Sequence, residues 1–209
     1  MSRIIAGAAG GLRLQSVPGR DTRPTTDRVK ESLFARLEAW GMLRDARVLD
    51  LFAGSGALGC EAASRGAASV TLVERHPGAV RVCRANARTV HGALGRDDVV
   101  AVRPGAVGGY LADPAAGPWD LVLADPPYPL PETELTAVLA PLAGRLREGG
   151  VVVVERSSRS PEPDWPAGLR RFEHRRHGET TMWFAETDVT SAPPPGAPDQ
   201  DLRPRTHPL

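Results

Sequence analysis

Apolar and polar positions along the chain switch repeatedly between a period of two and a period near 3.6, and the switches mark out alternating strands and helices. Val48 to Phe52 reads as a short buried strand, and Ala57 to Arg65 as a helix stopped by Gly66. Ser69 to Val73 is a second strand. Pro77 opens a helix that continues from Ala79 to Val90, with Val80, Cys83 and Ala87 inward. Asp98 to Arg103, Asp120 to Ala124 and Val151 to Glu155 supply three more strands. Glu132 to Leu146 reads as a helix because Leu135, Val138, Leu139, Leu142 and Leu146 are apolar at helical spacing. Leu169 to Arg176 and Thr180 to Ala185, hinged near Gly178, form a terminal antiparallel hairpin. Alternation of this kind predicts an α/β fold, a mostly parallel sheet with helices on both faces.

The ends of the chain follow other patterns. Arg3 to Ile5 and Leu12 to Val17 flank Gly7, Gly10 and Gly11, which predicts a small β-hairpin closed by Pro18 and Gly19. A polar loop, Asp21 to Arg28, then runs into a helix that Thr26 or Asp27 can cap. Val29, Leu33, Leu37 and Trp40 form its inward face, leaving Arg28, Lys30 and Arg36 on other faces. From about Thr187 to Leu209 there are six prolines and few large apolar side chains. Such a segment buries too little surface to offset ordering entropy, so a disordered tail without a catalytic role is expected. The expected divisions are residues 1–26 (hairpin and arm), 27–186 (the α/β domain) and 187–209 (the tail).

Composition adds limits. With 209 residues, 41% hydrophobic and 24% charged, the chain suits one globular domain with appendages. No apolar stretch reaches membrane-spanning length, and the N-terminus lacks the apolar core of a signal peptide, so a cytoplasmic protein is expected. Cys60 and Cys83 fall in expected helices and no Cys/His cluster has metal-ligand spacing, which points to buried thiols and no metal. The net charge of +1 is uninformative, but its distribution is not. Residues 1–36 hold seven basic side chains against three acidic ones. A basic arm on a near-neutral domain suits contact with phosphates.

The chemistry centres on Asp50 to Gly59, where the first strand passes into a glycine-rich turn and a helix. Gly54, Gly56 and Gly59 fit the G-x-G-x-x-G spacing that lets backbone turn sharply beside a nucleotide-like ligand. Glu74, at the tip of the second strand, can accept both ribose hydroxyls of an adenosine. Asp125-Pro126-Pro127-Tyr128 follows the fourth strand, whose carboxyl end should lie beside the glycine turn. An NAD enzyme has no evident use for that tetrapeptide. A methyltransferase acting on an exocyclic amine does: Asp125 and the Pro126 carbonyl accept hydrogen bonds from the amine, Pro126 and Pro127 fix the turn without a competing N–H, and Tyr128 offers a flat face to a base. The cofactor this implies is S-adenosylmethionine.

These motifs, with Arg23-Pro24-Thr25-Thr26-Asp27-Arg28-Val29-Lys30-Glu31-Ser32-Leu33-Phe34, resemble the RsmD-type methyltransferases, which modify the N2 amine of a guanine in small-subunit ribosomal RNA. The resemblance runs from Arg3 to about Glu186 and implies a Rossmann-like class I methyltransferase fold with a small N-terminal β-hairpin/helix extension. It implies that Asp50, Phe52, Ala53, Gly54, Ser55, Gly56, Glu74, Arg75, Gly105 and Ala106 hold S-adenosylmethionine, and that Asp125 to Tyr128 hold the target base. It implies RNA contacts from Arg3, Arg13, Arg23, Thr25, Arg28 and Lys30, and a substrate within an assembling 30S particle. Two positions depart from the family pattern. Basic side chains often stand where this chain has Gly10 and Leu12, and an Asp or Asn that accepts the adenine amine is here Gly105. Other readings are a DNA adenine or cytosine amine methyltransferase, a protein glutamine methyltransferase, a noncatalytic RNA-binding assembly factor, and, most distant, an NAD-binding oxidoreductase.

Overall fold

The computed structural model describes residues 2–18, 27–127 and 129–188. Seven strands form the central sheet: β3 (Arg47–Leu51), β4 (Ser69–Glu74), β5 (Val100–Pro104), β6 (Trp119–Ala124), β7 (Leu146–Ser157), β8 (Leu169–His177) and β9 (Thr180–Thr187). Their spatial order is β5-β4-β3-β6-β7-β9-β8. The first five strands in that order are parallel, and β9 pairs antiparallel with both β7 and β8. The chain winds outward from β3 to β5, then returns to place β6 on the other side of β3. That reversal leaves a crevice at the carboxyl ends of β3 and β6, the position where open α/β sheets bind ligands.

Helices cover both faces. α1 (Asp27–Ala39), α2 (Ala57–Ser64) and α3 (Pro77–Leu94) close one core, which holds Leu33, Phe34, Leu37, Leu72, Val90 and Phe184. α4 (Val107–Leu111) and α5 (Glu132–Leu139) close the other over Leu49, Val122 and Val152. Phe34 and Leu37 are fully buried, and each such side chain is worth about 1.5–3 kcal/mol. Those two residues anchor α1 to the sheet.

Three expectations change. The N-terminal hairpin reduces to β1 (Ser2–Arg3) and β2 (Arg13–Leu14), and it does not stand apart from the domain. Ile4, Ala9 and Leu14 belong to the same core as Leu33, and the buried Glu61 carboxylate accepts the amides of Ile5 (2.7 Å) and Ala6 (3.1 Å). The helix expected from Glu132 to Leu146 ends at Leu139, a single 3₁₀ turn follows over Ala140–Leu142, and Leu146 opens β7. Pro141 accounts for this, because it lacks an N–H and its ring obstructs the carbonyl four residues earlier. Lys30 is not on an outer face. The buried side of α1 is Lys30, Leu33, Phe34 and Leu37, so the ammonium lies inside at 1% exposure. It bonds the Arg3 carbonyl and Ser2 Oγ (3.4 Å) and stands 3.8 Å from Glu61 and 4.0 Å from Asp27. Burial lowers its proton affinity and the two carboxylates oppose that.

Of the tail, residues 189–209 lie outside the described residues. No described helix is long and apolar enough to cross a membrane.

Candidate active site

The turn after β3 is built from backbone that most side chains avoid. Phe52 (φ +59°), Gly54 (φ +58°) and Gly56 (φ +76°) are all left-handed. For a bulky residue such as Phe52 this costs about 1–2 kcal/mol, a strain met chiefly where ligands bind. A side chain on Gly54 would meet nothing closer than the Phe52 carbonyl at 3.9 Å, so that edge is open to a ligand. Gly56 and Gly59 have a different duty. A Cβ on Gly59 would fall 2.3 Å from Leu72 Cδ2 and one on Gly56 would fall 2.7 Å from Leu72 Cδ1, so glycine lets α2 lie against β4.

Three buried side chains brace the turn. Asp50, 2% exposed, accepts the Gly59 amide at 2.9 Å. Glu74 accepts the Gly54 amide (2.9 Å) with one oxygen and the His76 amide (2.8 Å) with the other. Asn86 of α3 donates to the Ser55 carbonyl (2.8 Å) and exchanges two bonds with the backbone of Gln15 (2.8 and 3.0 Å). Asn86 therefore ties the segment after β2 to the glycine turn. The Cys83 thiol donates to the Gly54 carbonyl at 3.2 Å. Cys60 and Cys83 are free and buried, and burial pushes the Cys60 thiol up to about 12 and Cys83 higher still.

The second corner sits beside the first. Leu51 pairs with Ala124, so Phe52 and Asp125 leave adjacent strands at the same level. Leu130 donates to the Pro127 carbonyl at 2.9 Å, and Arg156, itself bonded to Glu132, reaches the Leu130 carbonyl at 3.4 Å. Leu130 is thus tied back to Pro127 and anchored to β7. Burial drives the Asp125 carboxyl well above the usual carboxylate range, helped by the charges of Glu155 and Asp50. Burial likewise lifts Asp50 to about 7, opposed by the Gly59 amide and assisted by Glu74. Four carboxyl groups therefore crowd one end of the sheet.

Between the corners lies a cleft of about 390 Å³, within the usual range for small-molecule sites. Asp50, Phe52, Ala53, Gly54, Ser55, Glu74, Arg75, Gly105, Ala106, Asp125 and Pro127 all line it. Gly56 and Pro126 are buried and do not line it, and Tyr128 is outside the described residues. Sequence reasoning missed Ser16 and Val17 behind β2, Val107 and Gly108 at the start of α4, and Glu134, Ala137 and Val138 on α5. Of the residues expected to meet RNA, Arg3, Arg13 and Arg28 are exposed, with Arg3 paired to Asp27 at 3.2 Å. Lys30 is enclosed, and Arg23 and Thr25 lie outside the described residues. Among the described residues no group of His, Cys, Asp or Glu has the geometry of a metal site.

Both Glu74 oxygens are engaged by backbone amides, and carboxyls crowded in this way favour a positive charge nearby. The family described as conserved hypothetical protein 95 matches residues 2–186. Ribosomal RNA small subunit methyltransferase D of Escherichia coli is 36% identical over 177 residues, which is 85% of this chain and 85% of that protein. A solved Escherichia coli chain with a provisional methyltransferase name has a TM-score of 0.74 at 32% identity, covering 89% of this chain and 97% of its own. A Thermus thermophilus structure described as a hypothetical protein has a TM-score of 0.73 at 31% identity, covering 88% and 98%. From residue 2 to residue 186, this chain belongs to the RsmD family of methyltransferases.

Proposed function

We propose that the protein transfers a methyl group from S-adenosylmethionine to the exocyclic N2 amine of a guanine in small-subunit ribosomal RNA. The observation that carries this reading is the single cleft lined by Glu74, the glycine turn, Asp125 and Pro127. The identity to a protein named for methylating small-subunit ribosomal RNA supplies the substrate class. S-adenosylmethionine, when bound, supplies the electrophilic methyl on its sulfonium.

The chain's own residues do the rest. Glu74, whose oxygens already accept the Gly54 and His76 amides, would take the ribose hydroxyls on its remaining lone pairs, and the open backbone at Gly54 would let the cofactor approach the turn closely. Gly105, also open, leaves the adenine amine to a backbone group or water. Asp125 accepts a hydrogen bond from the guanine amine, fixing it in line with the methyl. Orientation of this kind supplies most of the acceleration. As the carbon–nitrogen bond forms and the carbon–sulfur bond breaks, the nitrogen must shed a proton. Asp125 would take that proton in its ionised form, which the positive charge of a bound sulfonium favours against the burial that raises its proton affinity. Among the described residues no hydrogen-bond donor occupies its carboxylate, so it is available to the amine. The part proposed for Tyr128, a flat face for the base, rests on sequence alone.

Asp125→Ala tests the reading on unmodified small-subunit particles with labelled methyl donor, followed by mapping of the product nucleoside. Transfer should fall by about 10²–10⁴-fold, the usual worth of a positioned acid–base group, with cofactor affinity within a few-fold of wild type. Undiminished transfer by the variant, or a wild-type product methylated on adenine, would overturn the proposal.

A further inference from the structure

We propose that α3 carries a phosphate-binding ridge for the RNA, formed by Arg81, Arg84 and Arg88 and led by Arg75 at the mouth of the cleft. The inference rests on the reading of ribosomal RNA as substrate and adds a surface to it. At 100° per residue, positions 81, 84 and 88 fall within about 60° of arc, and they rise about 10 Å along the axis. All three are exposed, while Val80, Cys83, Ala87 and Val90 on the opposite side are buried. The row therefore faces away from the core and can be covered only by something outside this domain.

Absence of counter-charge along a whole helix face marks this row. Residues 75–96 hold five arginines and no aspartate or glutamate. Among the described residues no carboxylate lies within ion-pair distance of Arg81, Arg84 or Arg88. Strand β8, equally rich in arginine, is different: Arg170 pairs with Glu186 (2.6 Å), Arg171 with Glu162 (2.7 Å) and Arg175 with Glu173 (2.6 Å). Three of its four arginines are already answered within the protein, whereas the field of α3 is left for a partner. Three like charges on adjacent turns repel one another, and a polyanion relieves that repulsion. A nucleic acid backbone, with phosphates repeating every few ångströms, matches a row of this pitch.

Position ties the ridge to the cleft. α3 begins three residues after Glu74, and Arg75 and His76 line the cleft itself. Asn86, on the same helix, holds the strand segment that follows Arg13. A strand of RNA lying along α3 thus starts at the cofactor's edge and runs beside the N-terminal hairpin.

The test compares Arg81→Ala/Arg84→Ala/Arg88→Ala with wild type, by binding to protein-free small-subunit ribosomal RNA and to unmodified particles across a salt series. The triple variant should bind both about 10–100-fold more weakly at 0.15 M salt. Its log Kd against log salt slope should be shallower by about 2–3, the worth of three phosphate contacts. Cofactor affinity should stay unchanged, which also reports that the variant is folded, and the triple lysine variant should bind nearly as wild type does. Arg170→Ala/Arg171→Ala/Arg175→Ala should lose less than the α3 variant. Equal losses in the two sets, or no loss on α3, would overturn the ridge while leaving the enzyme's substrate intact. Weakening on particles alone would assign the ridge to a ribosomal protein instead and overturn the phosphate assignment. Wild type that binds neither RNA nor particle would bring down the substrate reading first, before any substitution is compared.

Discussion

Asp50→Asn measures how much folding free energy the cleft holds as buried negative charge. Asp50 is 2% exposed, and burial, opposed by the Gly59 amide and assisted by Glu74, raises its carboxyl from the ordinary 3.8 to about 7. Across that interval the native protein keeps a proton that the unfolded chain has lost, so the native state binds more protons and stability falls as pH rises. The group's contribution is complete below about pH 4 and is gone above about pH 7. At 1.36 kcal/mol per pH unit the whole interval is worth about 4 kcal/mol, and so little of Asp50 is exposed that solvent screening removes little of it. Asparagine is neutral throughout and keeps an oxygen to accept the Gly59 amide. Urea denaturation of the ligand-free proteins, followed by tryptophan fluorescence, gives the stability of variant minus wild type at each pH. Contributions from surface carboxylates cancel in that difference. It should grow in the variant's favour by about 3 kcal/mol between pH 5 and pH 8. A difference flat to within about 1 kcal/mol would refute the reasoning, because Asp50 would then be charged at no cost.

Two further substitutions probe the frame of the site. Gly59→Ala puts a methyl 2.3 Å from Leu72 Cδ2 and 2.9 Å from Val70 Cγ1, which should destabilise the fold by about 1–3 kcal/mol and show as a lower Tm. A Tm equal to wild type would mean that α2 shifts away from β4 without penalty. Asn86→Ala removes the bonds to Ser55 and Gln15, so the glycine turn loses its brace. The cofactor KM should rise several-fold with kcat near wild type, whereas a fall in kcat alone would show that Asn86 does not act through the cofactor turn.

The strands and long helices were legible because burial on one or both sides imposes a period, and a period survives in the sequence. What escaped had no period to read. α4 spans five residues, two of them Gly108 and Gly109, and forms because Val107 and Leu111 seal the second core. The end of α5 was obscured by leucines that keep helical spacing across Pro141, so apolar rhythm outlasted the helix itself. Apolar spacing that starts at Val29 puts Lys30 on an outer face, whereas the buried face of α1 starts one position later. A charge seldom opens a buried face, and here it does so because Glu61, fully enclosed on α2, answers it together with Asp27, the Arg3 carbonyl and Ser2. Of the cleft, the turns after β3 and β6 announced themselves through glycine and proline. Ser16, Val17 and the α5 wall are side chains of ordinary type, made part of the site only by the packing of distant segments.

The near-zero net charge conceals a separation of charge that the fold maintains at some cost. Asp50, Glu74, Asp125 and Glu155 gather at the carboxyl edge of the sheet, where Asp50 and Asp125 hold their protons more tightly than free carboxyls do. Arginines that could neutralise them are instead set along α3, facing outward. Arg84 and Arg88 lie about 10 Å and 16 Å along the helix from its start, beyond the roughly 8 Å over which charges feel one another at physiological salt. Those two therefore leave the cleft's charge in place, while Arg75 alone of the row reaches its mouth. Of the two fields, one suits a small cation held among carboxyls, the other a polyanion lying on the surface, and methyl transfer from a sulfonium to RNA needs both within the span of one helix. A cleft neutralised by nearby arginines would be a more stable fold and a poorer site for a cation.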